Sequence, residues 1–425
     1  MPDPTGTYER LKERLRLHLS EWLGNGSPGT RSGALDREAV VQQVRELVSA
    51  SQRDQQFLVD DAAQARLVDE LANELLGVGP LEPLLLDPEI TEIMVNGPSE
   101  VFVERQGRLT RSGARFEDAD HLIRFIERLL DRVGLSVSPS EPCVDASLPD
   151  GTRINIIIPP LVLNGPVVTI RKKSRRWTLS DLLALGSLSP EAAEFLQGCV
   201  KAKVNLIVSG GTSTGKTTLV NVLSSAIPQE ERVISIENVA ELELPDREHW
   251  IRLVARIANV EGRGEVSLRM LVKNALRMRP DRIILGEARG GEALDVVQAM
   301  HTGHEGVITV LHGNSPQAAL ERLQTLMLMS GLELPPQACQ MQIASAVDAI
   351  VHMGRFADGS RRVSSIAQLH GGTRGGFQLE ELFTLELRGY RPDGALEGAL
   401  RSTGVRPKFL HKLQVNNVPI PRGVA

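Results

Sequence analysis

The sequence predicts an α/β fold with a parallel central sheet for its second half. An α+β segment and, before that, a helical region precede it. Three observations carry this expectation. From residue 177 onward, short apolar runs alternate with helical stretches, the pattern of strands joined by helices. A glycine-rich turn at 210–218 stands between one such run and one such helix. Residues 76–176 instead show two-residue alternation around one strong helix, so they are expected to form a domain of their own.

The 425 residues are enough for two or three domains. We assign 1–75 to a helical region, 76–176 to an α+β domain and 177–395 to the α/β domain, leaving 396–425 as a loosely held tail rich in Gly, Pro and Arg. A hydrophobic content of 41% with 24% charge excludes a largely disordered or fibrous chain. The net charge of −5 offers no overall basic surface for nucleic acid. The longest apolar run, 156–163, is interrupted by Pro159 and Pro160 and falls far short of the ~20 residues of a membrane helix. Residues 2–22 mix acids and bases, so no secretory signal is expected there. Cys143, Cys199 and Cys339 stand far apart in no metal spacing, and their odd number fits a reducing, cytoplasmic compartment.

Taken in order, residues 8–23 place Leu11, Leu15, Leu19, Trp22 and Leu23 on one helical stripe. A turn-rich linker at 25–33 and amphipathic stretches over 37–76 follow, read either as a small bundle or as an adaptor that docks a partner. Strands are expected at 92–96 and 101–104, with Gln106-Gly107 as a hairpin turn. A helix over 118–133 turns Leu122, Ile126, Leu129, Leu130 and Val133 inward and ends at Gly134. Strands at 152–158 and 167–171 flank the two prolines, and a basic run over 171–176 marks a linker. That run is either simply solvated or serves the nucleotide module beside it. Beyond it, buried strands are expected at 205–208, 233–236, 282–285 and 307–311, with helices at 215–226, 292–300 and 317–329.

The turn at 210–218 reads Gly210-Gly211-Thr212-Ser213-Thr214-Gly215-Lys216-Thr217-Thr218, a full match to the phosphate-binding loop G-x-x-x-x-G-K-[ST]. Its glycines let backbone N–H groups turn around phosphate oxygens with no Cβ in the way. The helix behind it aims its positive end at the same anion. Lys216 supplies a cation to the β- and γ-phosphates, and Thr217 a hydroxyl to Mg²⁺. No lysine stands in a guanine-reading [NT]-K-x-D element, which favours ATP.

Hydrolysis also needs carboxylates. The apolar run 282–285 leads through Gly286 to Glu287, the pattern of a Walker B strand whose usual terminal Asp is here a glycine. Glu287 is therefore expected to act alone, through a metal-bound water. Glu237 and Glu241 follow the strand 233–236 and fall on the rim where open α/β sheets place ligands, unless they are two acids of a solvated loop. His304 and His312 bracket the strand 307–311. Opposite ends of one strand exclude a shared metal, and a neutral hydrogen-bonding role toward phosphate fits better.

With these residues assembled, the chain resembles the type II/IV secretion-system NTPases, most closely the CpaF/TadA group that powers tight-adherence (Flp) pilus assembly. The resemblance spans about 77–351. It rests on the segments 90–98 (ITEIMVNGP), 148–155 (LPDGTRIN), the phosphate loop, 277–293 (RMRPDRIILGEARGGEA), 300–306 (MHTGHEG) and 311–316 (LHGNSP). It implies a PAS-like α+β domain, a RecA-like P-loop ATPase domain and a homo-hexameric ring that hydrolyses ATP with Mg²⁺. The implied partner is a polytopic inner-membrane platform protein. The chain would lie in the cytoplasm at the inner face of that membrane, associated only through partners and with no direct contact to nucleic acid. By position, Lys216 and Thr217 match Walker A, Glu237 and Glu241 the Asp box, Glu287 the Walker B acid that shares Mg²⁺ with Thr217, and His304 and His312 the His box. Arg153 and Arg171 match the arginines that close onto the phosphates. The Asp box usually reads Glu-Asp; here it reads Glu237-Asn238, which leaves Glu237 to polarise the attacking water. A conjugation-type type IV secretion ATPase shares the motor but lacks the long helical N-terminus. Type II ATPases often carry a four-cysteine zinc insert, which three scattered cysteines exclude. A DNA-dependent RecA-like motor is opposed by the acidic balance and the 3% aromatic content, and a sensor that barely hydrolyses is suggested only by Asn238.

Overall fold

In a computed structural model of the chain, the residues described are 8, 10–15, 18–19, 37–51, 60, 63–68, 71, 79–105, 107–148, 151–173, 176–244, 247–256, 264–373 and 376–420. Trp22, Leu23, the linker at 25–33, Gln106 of the hairpin turn, Pro149 and Asp150 of the LPDGTRIN segment, and Ser174 and Arg175 of the basic run lie outside them. The chain forms two compact units that divide between Arg175 and Arg176.

In the first unit, helix α1 (Arg37–Ser51) contributes Val44 and Val48 to a small core shared with Leu11, Leu15, Leu19, Leu67 and Leu71. The stripe at 8–19 therefore buries its leucines within the unit, as a bundle does. A short helix α2 (Glu82–Leu86) leads into six strands. They are β1 (Ile90–Asn96), β2 (Val101–Arg105), β3 (Arg108–Arg111), β4 (Cys143–Ser147), β5 (Arg153–Ile157) and β6 (Val167–Arg171). Their order is β3-β2-β1-β6-β5-β4, antiparallel throughout. Helix α3 (Ala119–Asp131) is capped by Asp118, whose carboxylate accepts the His121 N–H at 2.7 Å. Its buried face of Leu122, Phe125, Ile126, Leu129 and Leu130 covers the inward-pointing residues of β1, β5 and β6. The sequence predicts this face; strand β4 is an addition to it. The β5–β6 register sets Arg153 directly opposite Arg171.

The second unit holds a nine-stranded sheet ordered β15-β14-β13-β12-β7-β11-β10-β8-β9. Its strands are β7 (Leu206–Gly210), β8 (Val233–Glu237), β9 (Trp250–Val254), β10 (Arg282–Leu285), β11 (Ile308–His312), β12 (Ala349–Arg355), β13 (Arg361–Thr373), β14 (Gly376–Tyr390) and β15 (Leu396–Ser402). From β12 to β9 the pairings are parallel; β13 to β15 extend the sheet as antiparallel ribbons. Helices cover both faces: α4 (Leu179–Ala184), α5 (Pro190–Lys201), α6 (Lys216–Ser224), α7 (Leu268–Ala275), α8 (Glu292–His301), α9 (Pro316–Leu328) and α10 (Pro336–Ala346). In β7, Leu206 and Val208 face the core under α5 and α6, and Ile207 faces the core under α8 and α9. That two-sided burial is why the central strands read as unbroken apolar runs.

The tail expectation is corrected. Residues 396–402 form β15, and helix α11 (Leu410–Val415) docks on the unit's core through Phe409 and Leu413. The Phe409 ring lies 6.3 Å from that of Phe195, and Lys412 Nζ donates to Asp348 at 2.8 Å. A few apolar residues at helical spacing outweigh a composition rich in Gly, Pro and Arg, because burial acts locally.

Candidate active site

Parallel pairing brings the C-terminal ends of β7, β8, β10, β11 and β12 to one rim of the sheet. His312 pairs with Gly210, and Ile236 with Leu285. The phosphate loop leaves β7 and enters α6 at that rim. Glycine is required twice in it. A Cβ on Gly210 would lie 2.6 Å from both the Met353 carbonyl oxygen and Thr214 Oγ1. Gly215, preceding α6, takes the left-handed conformation at φ 92°. Ser213 adopts φ 58° without being glycine, a conformation that costs about 1 kcal/mol and recurs at functional turns.

Lys216 is buried; its Nζ donates to the Gly211 carbonyl at 2.6 Å and stands 3.5 Å from His312 Nδ1. His312 Nε2 is 2.8 Å from Glu287 Oε1, and the other Glu287 oxygen takes Arg289 at 2.7 Å. Burial and the Lys216 charge hold the His312 ring below the usual imidazole range, against the pull of Glu287. A neutral ring with Nδ1 toward Lys216 carries its proton on Nε2 and donates it to Glu287. Lysine, histidine and carboxylate thus form one chain from the phosphate loop to the end of β10.

Glu237 is 2% exposed, and burial pushes its carboxyl above the usual range. Its Oε1 accepts the Glu241 and Leu242 N–H groups at 2.8 and 2.7 Å, which fixes the loop carrying Glu241. Thr217 Oγ1 then donates to Glu241 Oε2 at 3.3 Å. Thr217 therefore meets Glu241, whereas both oxygens of Glu287 are engaged by His312 and Arg289. Glycine at the strand end has a steric cause: a Cβ on Gly286 would stand 2.9 Å from Glu237 Cγ.

The fold separates the two histidines. His304 sits before β11, at the far end from His312, with its Nδ1 3.4 Å from Thr302 Oγ1. A five-residue strand spans about 17 Å, so His304 does not share the cleft of its sequence neighbour. Arg153 and Arg171 belong to the first unit. Sequence reasoning missed three residues. Glu292 accepts the Arg289 and Gly290 N–H groups at 2.6 and 2.8 Å and shapes the turn after Glu287. His352 on β12 lies 2.9 Å from Ser209 Oγ behind the phosphate loop. Arg322 on α9 lines a cleft of about 640 Å³ with Gly211, Thr212, His312 and Asn314. Only the acid three residues past Arg289, a capping spacing, was a signal for any of them.

Residues 74–375 match the family described as type II/IV secretion system protein. Over 306 residues the chain is 38% identical to a putative conjugal transfer protein of Mycobacterium tuberculosis, covering 70% of this chain and 86% of that one. Over 324 residues it is 36% identical to the type IV secretion system protein VirB11 of Brucella suis, covering 70% and 89%. The crystal structure of the Brucella suis VirB11 ATPase in complex with sulphate is 34% identical over 73% of this chain and 97% of that one, with a TM-score of 0.38. The chain belongs to the type II/IV secretion system protein family.

Proposed function

We propose that this chain is a motor that hydrolyses ATP to drive pilus assembly or secretion. It is an ATP-hydrolysing enzyme of the secretion and pilus ATPase family. The observation that carries the chemistry is the Lys216–His312–Glu287 chain on the rim where the phosphate loop meets α6. Lys216 would turn from the Gly211 carbonyl to the β- and γ-phosphates. Glu287, held by the His312 N–H, would orient the water that attacks the γ-phosphorus as the bond to the β-phosphate oxygen breaks. Glu237 holds the Glu241 loop through Oε1, and its Oε2, buried and without a hydrogen-bond partner among the described residues, is the second carboxylate oxygen that would polarise the attacking water.

The donor set suits Mg²⁺, which keeps several waters and phosphate oxygens and asks the protein for one or two oxygens. Thr217 and Glu241 are 3.3 Å apart at the loop, and among the described residues no group of three His, Cys, Asp or Glu forms a closed metal cage. Bound there, the ion would supply charge neutralisation of the phosphates. Glu287 stays a second candidate through a bound water. In this reading Arg153 and Arg171 supply further charge to the phosphates during turnover.

The finer assignment is a homo-hexameric, tight-adherence (Flp) pilus assembly ATPase of the CpaF/TadA kind, acting through a polytopic inner-membrane protein from the cytoplasmic side. No helix among the described residues is long and apolar enough to cross a membrane. A conjugation-type secretion motor is the second reading, favoured by relatives named for conjugal transfer and type IV secretion. A strain lacking the chain separates them: loss of pili supports the first, and loss of substrate secretion with pili intact supports the second. Purified protein with Mg²⁺ tests the chemistry. Lys216→Ala and Glu287→Gln are each expected to lower turnover on the order of 100-fold or more. Parent-like rates from both variants would refute the site, and strong stimulation by single-stranded DNA would favour a DNA motor.

A further inference from the structure

The cleft beside the phosphate loop has a wall that the reading above does not use. Gly313 follows His312, and a Cβ there would come within 2.8 Å of Ala319, so α9 is pressed against the loop after β11. Ala318, Arg322 and Thr325 line the cleft from α9 at spacings of four and three, one face of the helix. Arg322 shares this lining with the small Ala318 and with Asn314. Arg322 is exposed and has no hydrogen bond or ion pair among the described residues. Its neighbour Glu321 is engaged by Gln317 at 2.9 Å. Arg289, by contrast, is held by Glu287, and Lys216 by the Gly211 carbonyl. The Arg322 charge also reaches His312, where it adds to the effects that keep the ring neutral.

We propose that Arg322 reads the terminal phosphate: its guanidinium binds the γ-phosphoryl group of ATP, and the orthophosphate formed from it, and thereby separates triphosphate from diphosphate. A planar fork of donors with no carboxylate to satisfy it, on the wall shared with Gly211 and Thr212, matches the oxygens of a tetrahedral phosphate. This inference rests on the cleft being a nucleotide site.

Full-length Arg322→Gln and Arg322→Lys test it through three constants: KM for ATP, competitive inhibition by ADP and product inhibition by orthophosphate. For Arg322→Gln the KM for ATP is expected to rise about tenfold and orthophosphate inhibition to weaken as much, with ADP inhibition changed less than about twofold. Arg322→Lys should recover part of both losses, and melting curves should match the parent because the side chain is exposed. ATP and ADP constants falling together, or none of the three moving, would overturn the assignment. Failure of the nucleotide reading itself looks different: the parent would show no turnover, or Lys216→Ala would equal it.

Discussion

A Cβ on residue 286 would stand 2.9 Å from Glu237 Cγ, so these two positions cannot both carry large side chains. Gly286→Asp is expected to cost about 1–3 kcal/mol of stability by overpacking, read by chemical denaturation; an unchanged midpoint would contradict the contact. Glu237 itself carries a pH signature. Its folded carboxyl titrates above the ordinary range, so the folded state holds the proton more tightly than the unfolded chain. Stability is therefore lost as pH rises from the unfolded value of about 4.3 through the folded one. Glu237→Gln keeps an acceptor for the Glu241 and Leu242 amides and removes that cost. It should melt above the parent at pH 7 to 8 and converge with it below about pH 4. Single positions were legible where a backbone need is absolute, as at Gly210 and Gly215, and where the motif fixes a cation beside them, as at Lys216. The separation of His304 from His312 was legible too, because a strand of fixed rise stands between them.

Elements were most legible where burial is two-sided or the apolar stripe is strong. Strands β7, β8, β10 and β11 and helices α3, α6, α8 and α9 fall within a few residues of the expected spans. The ribbons β13 and β14 escaped notice because they mix Arg, Ser, Gln and Glu with apolar residues, and strand preference depends on what lies across the ribbon. The tail was misjudged for a related reason: α11 spans only six residues and is held by tertiary contacts. Leu413 is fully buried, so Leu413→Ala should cost about 2–5 kcal/mol in denaturant unfolding. Full stability in a chain cut before Phe409 would show that α11 is dispensable.

For the whole molecule, each unit has its own sheet and core. Expressed alone, 176–425 is expected to unfold cooperatively and to bind ATP, and the proposed role of Arg153 and Arg171 predicts that it turns ATP over poorly. Full turnover by that fragment would remove both arginines from the chemistry. In sedimentation, the full chain with ATP should run at about six times its 46.4 kDa, as a hexamer requires. The order of residues was enough to determine the phosphate loop and the α/β class, since these depend on local backbone freedom and on apolar periodicity along the chain, and the family followed from the resemblance of whole motif segments. Only the tertiary structure decided that Glu287 faces His312, that Thr217 meets Glu241 and that Arg322 lines the cleft. Those relations follow from strand order and helix docking, which bring together residues far apart in sequence, and no local pattern encodes the neighbours they create.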